Sequence, residues 1–268
     1  MLARNRPRSA MSLADRTAIV KRTEVTHDAF LGGRLTIAQP ARGFRAGLDS
    51  VLLGAAVGHG AGHLLDLGAG VGTAALVALA DHPKLTATLV ETDPTALALA
   101  AENIAANGFS DRAEAIEADV TASGRTRSAA GLRPDSCISV IANPPFFAGG
   151  TRASARGAAA RQMPTAALDL WVKTAAGHAA PGGEIVFIHI ADSLPALLAA
   201  MSARFGALTV LPLTPREGEP AHRILIRGIK GSRAPLTLLA SRALHTAGGR
   251  QFRAEFEAIF RGGDRLHW

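Results

Sequence analysis

Leu64-Leu65-Asp66-Leu67-Gly68-Ala69-Gly70-Val71-Gly72-Thr73-Ala74-Ala75 decides the fold of this chain. It reads as a short buried strand, a turn with glycine at every second position, and the first turn of a helix. Glycine lets the backbone approach a ligand closely, and a helix N-terminus offers free N–H groups. A ligand containing a nucleoside suits such a turn. Gly70 to Ala75 also satisfies the G-x-G-x-x-A form of the dinucleotide fingerprint, so the glycines alone leave two cofactor classes open. The next apolar run, Thr86-Ala87-Thr88-Leu89-Val90-Glu91, ends in a carboxylate that can accept both ribose hydroxyl hydrogens or simply cap a solvated strand end. Asp66, two residues before Gly68, leans toward S-adenosylmethionine.

A second stretch supplies chemistry. Cys137-Ile138-Ser139-Val140-Ile141-Ala142 is a buried-strand pattern running into Asn143-Pro144-Pro145-Phe146. Two prolines make a stiff extended loop whose Asn side chain and Pro144 carbonyl can face a cleft. A conjugated NH2 is a poor nucleophile because its lone pair is delocalised. Two fixed acceptors for its hydrogens favour the pyramidal geometry that attacks. Phe146 offers a face to a flat base. Asn-Pro is also an ordinary turn former, so the loop gains this meaning only beside the glycine turn.

Together these elements resemble the class I S-adenosylmethionine-dependent methyltransferases, in the amino-methylating branch whose fourth motif is Asn/Asp-Pro-Pro-aromatic. Asp66 to Gly72 looks like the first motif, Val90-Glu91-Thr92-Asp93 the second, Glu117-Ala118-Asp119-Val120 the third and Asn143 to Phe146 the fourth. The resemblance implies an α/β, Rossmann-like class I methyltransferase fold: a seven-stranded, mainly parallel sheet with an antiparallel last strand and helices on both faces. It implies S-adenosyl-L-methionine as cofactor, near Asp66, Gly68, Ala69, Gly70, Gly72, Glu91, Thr92, Asp119, Val120 and Asn143. Asn143, Pro144, Pro145 and Phe146 become the catalytic loop.

Upstream, Gln39-Pro40, Gly43-Phe44-Arg45 and Asp49-Ser50-Val51-Leu52-Leu53 look like the segment preceding the cofactor domain in the bacterial tRNA(Val) adenine-N6-methyltransferases. That resemblance adds Arg45, Gly47 and Asp49 on the cofactor side. Asp49 and Ser50 could equally cap a helix. The fourth motif departs from the tRNA enzymes in carrying Phe146 where Tyr is frequent. The implied substrate is tRNA adenine N6. rRNA guanine N2 and protein glutamine N5 are alternatives of the same chemistry, and a nicotinamide-dependent oxidoreductase or a non-catalytic RNA-binding module are more distant ones.

The expected organisation is a basic, disordered arm (1–25), a segment closing over the cofactor (26–60), the methyltransferase domain (61–235) and an extension packed on it (236–268). Asp93-Pro94 and Asn107-Gly108 should bound a helix with Leu97, Ala101 and Ile104 inward. Thr165 to Ala180 reads as a helix with Leu168, Trp171, Val172 and Ala175 inward, followed by a strand Glu184 to Ile190. Leu208 to Leu213 and His222 to Arg227 should form the closing antiparallel pair, the latter half exposed because arginines alternate with apolar residues.

The net charge of +7, with arginine supplying 25 of the 29 basic residues, suits a polyanion such as RNA. Arg152, Arg156 and Arg161 follow the Asn-Pro-Pro loop and, with Phe147, are candidate substrate contacts or a solvated loop. No apolar run is long enough to span a bilayer and no lipidation signal is present, which points to a cytoplasmic protein. Cys137 reads as a small core residue, and His189 as a satisfied core or strand-end residue. The nine histidines show no metal spacing, so no metal is expected. The sequence sets no oligomeric state.

Overall fold

The computed structural model describes residues 24–43, 45–146 and 165–268. Chain order is β1 (Val25–Phe30), β2 (Leu35–Pro40), α1 (Leu48–Ala55), β3 (Ala61–Leu67), α2 (Thr73–Asp81), β4 (Lys84–Glu91), α3 (Pro94–Ala106), β5 (Ala113–Glu117), α4 (Gly124–Ala129), β6 (Cys137–Ala142), α5 (Thr165–His178), β7 (Ala179–Ile190), α6 (Leu194–Ser202), β8 (Phe205–Thr214), β9 (Arg223–Lys230), β10 (Thr237–Leu238), β11 (Arg242–Ala243) and α7 (Ala254–Phe260).

Seven long strands lie in the order β5-β4-β3-β6-β7-β9-β8. All run parallel except β9, which is antiparallel to both β7 and β8. The sheet is therefore the expected seven-stranded one, with two-residue strands β10 and β11 added along β8. β1 and β2 form a separate hairpin. The order reverses at β3, which pairs with β4 on one side and β6 on the other, and a crevice opens at the carboxyl ends of strands at such a reversal. The glycine turn leaves β3 and the Asn-Pro-Pro loop leaves β6 at that crevice.

Alternate strand residues feed two cores, one on each face of the sheet. Leu64, Leu89, Ile141, Val186 and Leu225 pack with α1, α2, α3 and α7. Leu65, Val90, Val140, Phe187 and Ile226 pack with α5 and α6. The four residues expected inward on α5 are all buried. That helix stops at His178, however, two residues before the expected Ala180, and β7 begins at Ala179, five residues before the expected Glu184.

Two further expectations are corrected. In α3, Ile104 is buried but Ala101 is exposed and Leu97 only partly covered; the buried face is Leu99, Ala100, Asn103 and Ile104. The reason is polar. Asn103 accepts from the Ala38 N–H at 2.7 Å through Oδ1 and donates through Nδ2 to the Ala38 carbonyl at 3.0 Å and the Val71 carbonyl at 2.9 Å. It thus locks the hairpin and the glycine turn to one helix. Asn107 repeats the grip on Thr36. Second, β9 is not half exposed, since Ile224, Leu225 and Ile226 are all buried between β7 and β8. Arg227 is accommodated by lying over the Trp268 ring at 4.7 Å. The tail beyond residue 235 packs on the domain by entering its core. Phe256, Ile259 and Leu266 are buried in the main core, the Leu266 N–H donates to Ala55, and Trp268 Nε1 donates to Ala56.

Candidate active site

Gly68, Gly70 and Gly72 all take positive φ, of 67°, 57° and 88°. Two of them are also sterically required. A Cβ on Gly68 would stand 2.5 Å from Trp171 Cη2, and one on Gly72 would stand 2.6 Å from Leu89 Cδ2. Gly70 differs, because nothing lies within 4 Å of the place a Cβ would take. The turn is packed from below at its two ends and open at its middle, which is the shape of a cradle for a ligand.

The Glu91 carboxylate spans the two adjacent loops. Its Oε2 accepts the Gly70 N–H at 2.8 Å, and its Oε1 accepts those of Thr92 at 2.7 Å and Asp93 at 2.9 Å. Three backbone donors hold the group rigid; Oε1 is filled by its two N–H groups, and Oε2 keeps a lone pair for a ligand hydroxyl. Thr92 itself is exposed. Ala69 is tied to Val90 through its N–H at 2.9 Å.

Asp66 is buried beneath the turn and accepts from the Ala75 N–H at 3.2 Å. Burial pushes its carboxyl up to about 7; the Ala75 N–H opposes the rise and the charge of Glu91 adds to it. Asp66 is thus a support of the turn and the helix behind it.

Asp119 is exposed, and its Oδ1 accepts from Thr121 through both N–H and Oγ1 at 2.7 Å. The neighbouring Val120 is buried and its carbonyl accepts from Thr174 Oγ1 at 2.7 Å. Arg127 donates to the Ala122 carbonyl and, through Nε, to His178 Nε2 at 3.2 Å, while His178 Nδ1 faces the Arg133 carbonyl at 2.9 Å. Burial holds His178 below the usual imidazole range, so it stays neutral and accepts from Arg127. This network fixes the loop at the end of β5.

In the Asn-Pro-Pro loop, Pro144 is buried and Pro145 exposed. Asn143 Oδ1 is withdrawn from solvent with no hydrogen-bond partner among the described residues. An unpaired buried acceptor costs about 1–3 kcal/mol, so a native one calls for a donor arriving from outside. Phe146 follows, with the Arg223 guanidinium over its ring at 4.7 Å and the His189 ring set edgewise at 4.9 Å. His189 is fully buried, and among the described residues neither ring nitrogen has a hydrogen-bond partner of good geometry, although the Pro145 and Ile190 backbone lies close. Its role is core, as expected, but unsatisfied. Burial lowers it to about 4, with Arg223 adding to the effect and the nearby Pro145 and Ile190 backbone opposing it.

Asp49, in the first turn of α1, accepts from Arg223 Nε at 2.9 Å. Gly47 is the N-cap of that helix. Arg45 lies in a hairpin network, donating to Asp28 Oδ2 at 2.6 Å, Thr26 Oγ1 at 2.8 Å and the Pro40 carbonyl at 2.9 Å. Gln39 completes it, donating to Asp28 at 2.6 Å and accepting the Ala46 N–H at 2.9 Å. Phe147, Arg152, Arg156 and Arg161, assigned to the substrate from sequence, lie outside the described residues. Sequence reasoning missed Arg223 and the sharing of Asn103 between three segments, and no local pattern announces either. Cys137 is buried and free, and burial raises its thiol. Among the described residues no three potential ligands gather for a metal, and no helix is long and apolar enough to cross a membrane.

The fold also occurs in a solved structure. A crystal structure from Agrobacterium tumefaciens, described as a predicted O-methyltransferase, superposes with a TM-score of 0.70 at 32% identity, covering 81% of this chain and 98% of that one. The sheet order and the loops at its carboxyl edge define a Rossmann-like methyltransferase. The chain belongs to the methyltransferase small domain family, whose pattern matches residues 49–214. It is similar to a Porphyromonas gingivalis tRNA1(Val) (adenine(37)-N6)-methyltransferase, at 32% identity over 173 residues, 62% of this chain and 67% of that one. A Vibrio vulnificus protein of the same name is 28% identical over 195 residues, 72% of this chain and 78% of the relative.

Proposed function

We propose that this enzyme transfers a methyl group from S-adenosyl-L-methionine to the N6 amino group of an adenine in tRNA. The observation that carries the reading is Asn143 Oδ1, a buried acceptor without a donor among the described residues, at the mouth of the crevice. An aromatic amine supplies the missing donor, and with the Pro144 carbonyl taking its second hydrogen the nitrogen is pulled toward the geometry that attacks. The cofactor, when bound, supplies a methyl group on a positively charged sulfur that leaves as a neutral thioether. The open middle of the glycine turn at Gly70 and the free lone pair on Glu91 Oε2 fit its nucleoside, and Asp119 and Val120 flank the cofactor's adenine. Phe146 stacks the adenine, which is flipped out of its helix to arrive there. The proton on nitrogen is lost after the methyl arrives, so the protein's contribution is positioning.

An alcohol acceptor, suggested by the description of the Agrobacterium structure, would present one donor hydrogen and leave the paired acceptors of Asn143 and Pro144 half used. The names of the tRNA relatives and the net positive charge support RNA, and with it a place in the cytoplasm. The test is methyl transfer from labelled S-adenosylmethionine to unmodified total tRNA, followed by nucleoside analysis. Labelled N6-methyladenosine is expected. Asn143→Ala should lower turnover by about 100-fold or more while cofactor affinity stays within about twofold. Equal loss of both would remove the role given to Asn143, and label found only in rRNA or protein would replace the substrate.

A further inference from the structure

Phe146 follows two prolines that stiffen the backbone, yet its ring can still turn about its own side-chain bonds. Two side chains restrict it, and they come from different parts of the chain. Arg223 opens β9, in register with Ile190 at the end of β7, and its guanidinium lies over the ring at 4.7 Å. His189 meets the ring edgewise at 4.9 Å. Arg223 is itself held by Asp49 through Nε at 2.9 Å and by the His222 carbonyl through Nη1 at 3.1 Å. Both members of the Arg223–Asp49 pair are about three-quarters buried, with side-chain exposures of 26% and 25%. The pair is therefore ordered, and one face of Phe146 is covered by a fixed cation.

We propose that Arg223, anchored by Asp49, is a positioning residue that sets the plane of Phe146 for the substrate base; the inference rests on the methyltransferase reading above. It moves Asp49 from the cofactor side to the base side of the crevice. The guanidinium also draws electron density toward the covered face, which leaves the other face better suited to an electron-rich purine. α1 thereby couples the segment before the cofactor domain to the catalytic loop.

The test compares wild type, Arg223→Leu, Arg223→Lys and Asp49→Asn, using unmodified total tRNA for kinetics and S-adenosylhomocysteine for calorimetric affinity. Arg223→Leu should lower kcat/KM for tRNA about tenfold or more, with cofactor-product affinity within about twofold of wild type. Arg223→Lys should recover part of the loss, because an ammonium still sits over a ring but cannot hold Asp49 and Phe146 in one fixed plane. Asp49→Asn should act in the same direction as Arg223→Leu, more weakly, and carries the test if Arg223→Leu does not fold. Unchanged tRNA kinetics in both, or a cofactor affinity that falls as far as kcat/KM, overturns the assignment. A wild-type protein that methylates no RNA removes the reading beneath it, an outcome distinct from active wild type with indifferent variants.

Discussion

Asp66→Asn tests the account of the glycine turn most directly. The replacement is isosteric and keeps an oxygen to accept the Ala75 N–H, but it cannot titrate. Burial raises the Asp66 carboxyl from 3.8 to about 7, and the folded protein must hold it charged at higher pH. A carboxyl raised on folding contributes fully below its unfolded value and loses that contribution as pH rises through its folded value. At 1.36 kcal/mol for each pH unit between the two values, the full loss is about 4 kcal/mol. Between about pH 5 and about pH 8 the expected change is about 2.5 kcal/mol. Urea denaturation of wild type and variant at several pH values isolates it, because other titrating groups cancel in the difference. The variant should gain on wild type steadily from about pH 5 and level off just above pH 7. Any fixed cost of placing an amide there shifts the whole curve without altering its slope. A stability difference independent of pH across that window would show that Asp66 is not a desolvated carboxyl, and the reasoning would fail.

Gly68→Ala and Gly70→Ala separate packing from ligand approach. The first should destabilise by about 1–3 kcal/mol through Trp171, measured by denaturation, whereas the second should cost about 1 kcal/mol of backbone strain yet weaken cofactor binding about tenfold by calorimetry. Asn103→Ala leaves the Ala38 backbone groups and the Val71 carbonyl unpaired, so a loss of about 2–4 kcal/mol is expected, with faster amide exchange at Ala38. Phe256→Ala should cost about 3–5 kcal/mol because that ring is fully buried; a surface appendage would lose far less.

Local pattern was a good guide wherever one strand or helix satisfies itself. The alternation of buried strands with helices, the glycine turn after β3, the acidic end of β4 and the Asn-Pro-Pro loop after β6 are each encoded within a dozen residues. Their meeting at one edge follows from parallel strands, which bring every carboxyl end to the same side. The misread positions have a common origin. In α3 the buried face is turned toward Asn103 because a hairpin about 65 residues upstream in sequence needs its backbone paired. In β9 the alternating arginines suggested exposure, yet Arg227 is covered by Trp268, from the far end of the chain.

The sequence by itself thus determined the class of fold, the glycine turn and the loop that presents Asn143, because each rests on backbone chemistry that nearby residues impose. Only the tertiary structure decided that Asp49 grips Arg223 over Phe146, that Asn143 Oδ1 is left without a donor among the described residues, and that the C-terminal tail completes the core. Those contacts join segments far apart along the chain, and their energies depend on burial and mutual placement, which no local pattern records.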